Sequence, residues 1–170
     1  MMAAPAPLSP AAANALSAFL RGVERRALVV AELQAGDAAV GERAVAVAMR
    51  AFAGHAAQLL MVEWPARFWG LLCSTPQLLK PTSPGNWEPA FAHLGTLAAG
   101  ERLALLLRIG AGLDETAAST VLGVDATAYR QALAGACPVD ADGHPDAASW
   151  RALAEQVQAL IRDPVSYTHL

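Results

Sequence analysis

Asp114-Glu-Thr-Ala-Ala-Ser-Thr-Val-Leu-Gly-Val-Asp-Ala-Thr-Ala-Tyr-Arg-Gln-Ala-Leu133 carries the signals that decide the fold. Asp114 is placed to cap a helix over Glu115 to Leu122, Gly123 supplies a turn, and Asp125 caps a second helix over Ala126 to Ala134. A helix-turn-helix asks for a small residue inside its first helix, a glycine at the turn and an apolar residue just after it, because the helices must approach closely. Ala117 or Ala118, Gly123 and Val124 occupy those places. Leu113, Val121, Leu122, Tyr129 and Leu133 supply the faces that would hold the crossing.

Outward from this stretch the apolar spacing stays helical. His93 to Leu97 leads into a compact helix over Gly100 to Arg108, stopped by Gly110 and Gly112. Beyond Cys137, Pro138 to Pro145 reads as loop, and Ala147 to Ile161 as a last helix with Trp150, Leu153, Val157 and Leu160 on one side. Toward the N-terminus, Leu16, Phe19, Leu20, Val23, Ala27, Val30 and Ala31 predict a helix over Ala15 to Leu33, ended by Gly36-Asp37. A second helix follows over Ala38 to Phe52, and a third from Pro65 carries Phe68, Trp69, Leu71 and Leu72.

The predicted fold is therefore all-α, with two small helical lobes joined by a Pro-rich linker and a helix-turn-helix in the second. Residues 1–14, with three prolines, are expected to be a disordered arm; residues 15–75 form the first lobe. Residues 76–90, rich in Pro, Ser, Thr, Gly and Asn, form the linker. Residues 91–137 form the second lobe and 138–163 a C-terminal loop and helix. Residues 164–170 include Val-Ser-Tyr-Thr-His-Leu, which looks like one reading frame of a sequencing-library adapter, so they are kept out of fold and site arguments.

Composition narrows the function. The chain is 55% hydrophobic with a net charge of -3, and Lys80 is its single lysine, so no basic run marks strong nonspecific nucleic-acid binding. Neither a secretory signal nor a stretch of ~18 uncharged apolar residues is present, and a cytoplasmic protein without a membrane span is expected. Cys73 and Cys137 lack metal-ligand spacing and are expected as reduced thiols. His55, His93 and His144 are read as loop or surface histidines without companion carboxylates, so no metal and no cofactor is expected. No phosphate-cradling loop, nucleophile elbow or acid pair appears, and an enzyme is not expected.

The succession Leu97-Ala-Ala-Gly-Glu101-Arg102 followed by an apolar helix to Arg108, then Gly112-Leu113, Glu115-Thr-Ala117 and Leu122-Gly123-Val124, resembles the promoter-reading region of extracytoplasmic-function sigma factors. Phe19 to Arg26, Gly41-Glu42-Arg43, Met49-Arg50-Ala-Phe52 and Trp64 to Leu72 are similar to that family's core-binding and minus-ten region. Together the two similarities cover most of the chain. The resemblance implies a sigma-like transcription initiation factor that binds core RNA polymerase and promoter DNA, with an anti-sigma or other regulatory protein as a further partner. It implies polymerase contact by Glu42, Arg43, Val47 and Arg50. It implies DNA contact by Thr116, Ser119, Thr127, Arg130 and Gln131, with Arg67 and Trp69 near melted promoter DNA. The second helix of the turn motif carries Arg130 alone as a base, balanced by Asp125. That balance motivates the alternative: a sigma-derived helical interaction or regulatory module that does not touch DNA. Arg102, Arg108 and Arg130 gathered into one positive patch would favour DNA; a continuous apolar groove would favour a partner. Trp69 and Trp150 are otherwise read as core, Trp87 as a linker tether, and Arg25 and Arg26 as an exposed mixed-charge face.

Overall fold

The computed structural model describes residues 8–80 and 84–163. The adapter-like tail and the first seven residues lie outside them. Nine α-helices follow one another among the described residues: α1 (Pro10–Ala35), α2 (Ala38–His55), α3 (Trp64–Cys73), α4 (Pro76–Leu79), α5 (Ala92–Gly95), α6 (Ala99–Ile109), α7 (Glu115–Leu122), α8 (Ala126–Ala136) and α9 (Ala147–Arg162). The all-α class holds. The arm expected to be disordered over residues 1–14 is corrected in its last part: Ser9 accepts from the Ala12 N–H at 3.1 Å and Pro10 opens α1, so residues 10–14 are helical. Proline suits this first turn because its missing N–H has no intrahelical partner there.

Caps explain most of the boundaries. Asp37, Asp114, Asp125 and Asp146 each accept a backbone N–H in the first turn of the helix they precede, at 3.1, 2.8, 2.7 and 3.1 Å. Each such cap is worth about 1 kcal/mol. Gly36 and Gly123 close α1 and α7 at φ 65° and 68°, a left-handed conformation that a side chain would strain. α2 runs three residues past the expected end at Phe52, since Gly54 is accommodated within its last turn.

Packing joins what the sequence reading divides. α6 is buried nearly all round through Leu103, Ala104, Leu105, Leu106, Leu107 and Ile109, which marks it as a central helix. It touches α1, α4, α7, α8 and α9, and α3 packs on α7. One continuous core results, running from Phe52 and Phe68 through Leu94 to Val157. The expectation of two lobes on a loose linker is corrected accordingly. Within residues 76–90, Leu78 is fully buried on α4, and the Trp87 indole donates to the Leu33 carbonyl at 2.7 Å. The physical reason is that one aliphatic and one aromatic side chain anchor a segment whose composition is otherwise that of a spacer.

Polar groups stitch the same joint. Arg102 is buried; its Nε donates to Gln34 O at 2.9 Å and its Nη1 to Leu97 O at 2.9 Å and Leu94 O at 3.3 Å. Its guanidinium lies 4.7 Å from the Trp87 ring centre. Gln34 reaches Ala99 O at 2.9 Å. Arg25 and Arg26 are half-buried rather than solvated: they donate to Leu160 O and Gly110 O, both at 2.6 Å in their shortest bonds. Each guanidinium thus satisfies carbonyls at a helix C-terminus, where the backbone dipole favours a cation.

Candidate functional site

α7 and α8 meet through a three-residue turn, Gly123-Val124-Asp125, as their capping residues require. Tyr129 fixes α8 on the core: its ring is buried and its hydroxyl donates to Ala104 O on α6 at 3.0 Å. Burial raises the Tyr129 pKa above its ordinary value. With Tyr129 pointing inward, Thr127, Arg130 and Gln131 are exposed on the outer side. Arg130 donates to Thr127 Oγ1 at 3.3 Å and to Glu115 of α7 at 2.6 Å. Thr127, Arg130 and Glu115 are therefore brought together, and the helix's single base is already engaged by an acid.

Two expected DNA contacts are corrected. Ser119 is buried, and its hydroxyl donates to the Glu115 and Thr116 carbonyls at 2.7 and 3.0 Å, so it turns back into its own helix. Trp69 is 3% exposed and stacks edge-on against Phe68 at 5.8 Å between ring centres. A ring held in the core offers no face to a base. Thr116 and Arg67 are exposed, and Arg67 borders a shallow notch of about 220 Å³ with His55 and Gln58. The patch of Arg102, Arg108 and Arg130 does not form: Arg102 is buried in the joint, leaving Arg108 and Arg130 at the surface.

On α2, Glu42, Arg43, Val47 and Arg50 are all exposed, whereas Ala44, Val45, Ala48 and Phe52 are buried. The four thus share the solvent side of one helix, the side opposite its core stripe. Gly41 makes the inner side possible. A Cβ there would lie 2.6 Å from the backbone nitrogen of Glu32, so only glycine lets α1 and α2 approach this closely.

Sequence reasoning missed Glu115 as the partner of Arg130, although an acid at the first turn of α7 and a base on the outer side of α8 are the available signal. It also missed the carboxylates beside His144. Asp140, Asp142 and His144 place ligand-type atoms within 4.8 Å of one another in an exposed loop. Asp140 Oδ1 is committed to the N–H groups of Asp142 and His144 at 2.9 and 3.0 Å, which shapes the turn. Cys73 is buried, and burial pushes its thiol up to about 12, so it stays protonated and inert near neutrality. Among the described residues, no helix is long and apolar enough to cross a membrane. Comparison with protein-family models, curated proteins and solved structures finds no match for this chain.

Proposed function

We propose that this chain is a sigma-derived, non-enzymatic transcription protein of the cytoplasm that docks on core RNA polymerase through the outer face of α2. The observation that carries the reading is the exposed stripe of Glu42, Arg43, Val47 and Arg50 on a helix whose other side is locked in the core. The resemblance of Gly41-Glu42-Arg43 and Met49-Arg50 to a core-binding helix motivates the choice of partner. Promoter affinity is weak in this reading. Phosphate neutralisation supplies most general affinity for DNA, and the base on α8 is engaged by Glu115.

Immobilised chain should retain purified core polymerase, and Arg43→Glu combined with Arg50→Glu should weaken retention by about tenfold or more. Both side chains are exposed, so the variant folds; circular dichroism checks that. Polymerase that passes the wild-type column unretained sinks the reading. A second reading, direct promoter contact by α8, is favoured by the adjacent exposure of Thr127, Arg130 and Gln131. Fluorescence anisotropy on labelled promoter duplex at low salt tests it, and no change in anisotropy removes it.

A further inference from the structure

Leu60, Met61 and Val62 form an apolar tip between α2 and α3 and are 70%, 59% and 83% exposed. Single exposed apolar side chains are ordinary on a protein surface, whereas a contiguous run of them marks a place where something docks. The tip is held in shape. Met61–Glu63 is one 3-10 turn, the Glu63 carboxylate accepts the Leu60 N–H at 2.9 Å, and the Glu63 N–H donates to Leu60 O at 2.9 Å. Trp64, directly after it, is buried against Phe19 and Phe52 and fixes the base of the turn. Beside the tip, the shallow notch that begins at Leu59 ends at the exposed Arg67.

The opposite end of α2 carries a matching hollow. The C-terminal ends of α1 and α9, the start of α2 and the segment 84–91 enclose a groove of about 680 Å³ with Leu33, Trp87, Phe91 and Leu160 in its lining. Its floor is fixed, because the Trp87 indole donates to Leu33 O at 2.7 Å and Arg102 lies on the ring. Three of its acids are spoken for: Glu32 and Asp163 are engaged within the chain, and Asp37 caps α2. Glu42 and Glu88 stand exposed at the rim, without an ion pair among the described residues.

We infer that the Leu60-Met61-Val62 tip of one copy seats in this groove of a second copy, a head-to-tail contact between identical chains. The two surfaces match in form and hydropathy: one protrudes, the other is hollow, and both are apolar at the centre, as an anchor and its pocket are. They match in sign as well, with Arg67 beside the tip and Glu42 and Glu88 at the rim. α2 is 18 residues long and separates them by about 27 Å, so a tip cannot enter the groove of its own chain. Because tip and groove are different patches, the contact is heterologous and leaves one free end on each copy. Two tips facing each other would instead bring Arg67 against Arg67, and a lipid surface would cover the tip while leaving the groove open.

The test uses the full chain alone, without polymerase or DNA, so its outcome is independent of the docking proposal. Sedimentation velocity between about 10 μM and about 1 mM should show association with a dissociation constant on the order of 100 μM, as a small contact gives, weakening as salt rises. Two variants, each checked for folding by circular dichroism, divide the contact. Leu60→Ser with Val62→Ser removes the tip, and Glu88→Lys with Ala90→Arg, at exposed positions of the lining, blocks the groove. Each alone should sediment as a monomer. Mixed in equal amounts they should form a one-to-one dimer and nothing larger, because one supplies the groove and the other the tip. Arg67→Glu, a milder change at an exposed side chain, should weaken wild-type association several-fold. A wild type that stays monomeric at about 1 mM overturns the proposal, and its flotation with anionic vesicles would assign the tip to lipid instead. A mixture that stays monomeric overturns it too, as does a folded tip variant or an Arg67→Glu chain that associates like wild type.

Discussion

Arg102 and Arg130 each sit on a short helix of the C-terminal half, and their surroundings are opposite. The Arg102 guanidinium is enclosed between α1, α6 and the 84–91 segment, shared among three carbonyls and laid on an indole. The Arg130 guanidinium reaches into solvent and meets one carboxylate, with side-chain exposures of 57% and 40% for the pair. The same functional group is a structural rivet in one place and a loosely held surface charge in the other. Burial and the number of acceptors make the difference, because an enclosed acceptor left without its donor cannot turn to water.

The sharpest way to break this contrast is Arg102→Ala. It strands the Gln34 and Leu97 carbonyls in the joint, leaves Leu94 O to its backbone donors, and should cost about 3 kcal/mol in urea unfolding. A loss under ~1 kcal/mol would mean that water reaches those carbonyls. Trp87→Leu comes next, at about 2 kcal/mol, since it removes both the indole hydrogen bond and the surface under Arg102. Arg102→Ala in that background should cost less than it does alone, and strict additivity would show that the two side chains do not support each other.

Tyr129→Phe removes one buried hydroxyl from the contact with Ala104 and should cost about 1 kcal/mol. The alkaline limb of stability has the same origin. Burial raises both Tyr129 and Cys73, so the unfolded chain loses these protons first. Stability should fall as pH climbs from near 9, the ordinary thiol value, through about 12, the folded Cys73 value. Cys73→Ala should flatten the first part of that decline; an unchanged slope would assign it to other groups. Smallest of all, Arg130→Ala and Glu115→Gln should each shift stability by less than about 0.5 kcal/mol, because their ion pair is exposed. Their value lies elsewhere. Glu115→Gln releases Arg130 and should strengthen low-salt DNA binding a few-fold if α8 meets phosphate at all.

The contrast also marks where the sequence was readable. Helices with an Asp cap, an apolar stripe and a terminal glycine were legible almost to the residue, because each of those signals acts within one or two turns: Asp114, Gly123 and Asp125 stand where they were expected. The exposed set on α2 came from the resemblance and not from this periodicity, which by itself would place the apolar Val47 inward, whereas it is exposed. The joint was not legible, since it depends on contacts between residues 54 to 68 positions apart, such as Trp87 with Leu33 and Arg102 with Gln34. A lone tryptophan among prolines and glycines was the available hint. The resemblance misplaced Ser119, and for Trp69 the core reading holds over the resemblance-implied DNA contact, for a related reason: a family-like position says which helix a residue occupies, whereas the local packing of this chain decides whether its side chain reaches the surface.

Arg25 and the Leu160 carbonyl it grips stand 135 positions apart. During synthesis α1 must therefore wait for the end of α9 to leave the ribosome before that grip can close. Until then the growing polypeptide exposes the surface against which Leu153 and Val157 settle. A stalled or shortened translation product should on this account be an early client of chaperones and proteases.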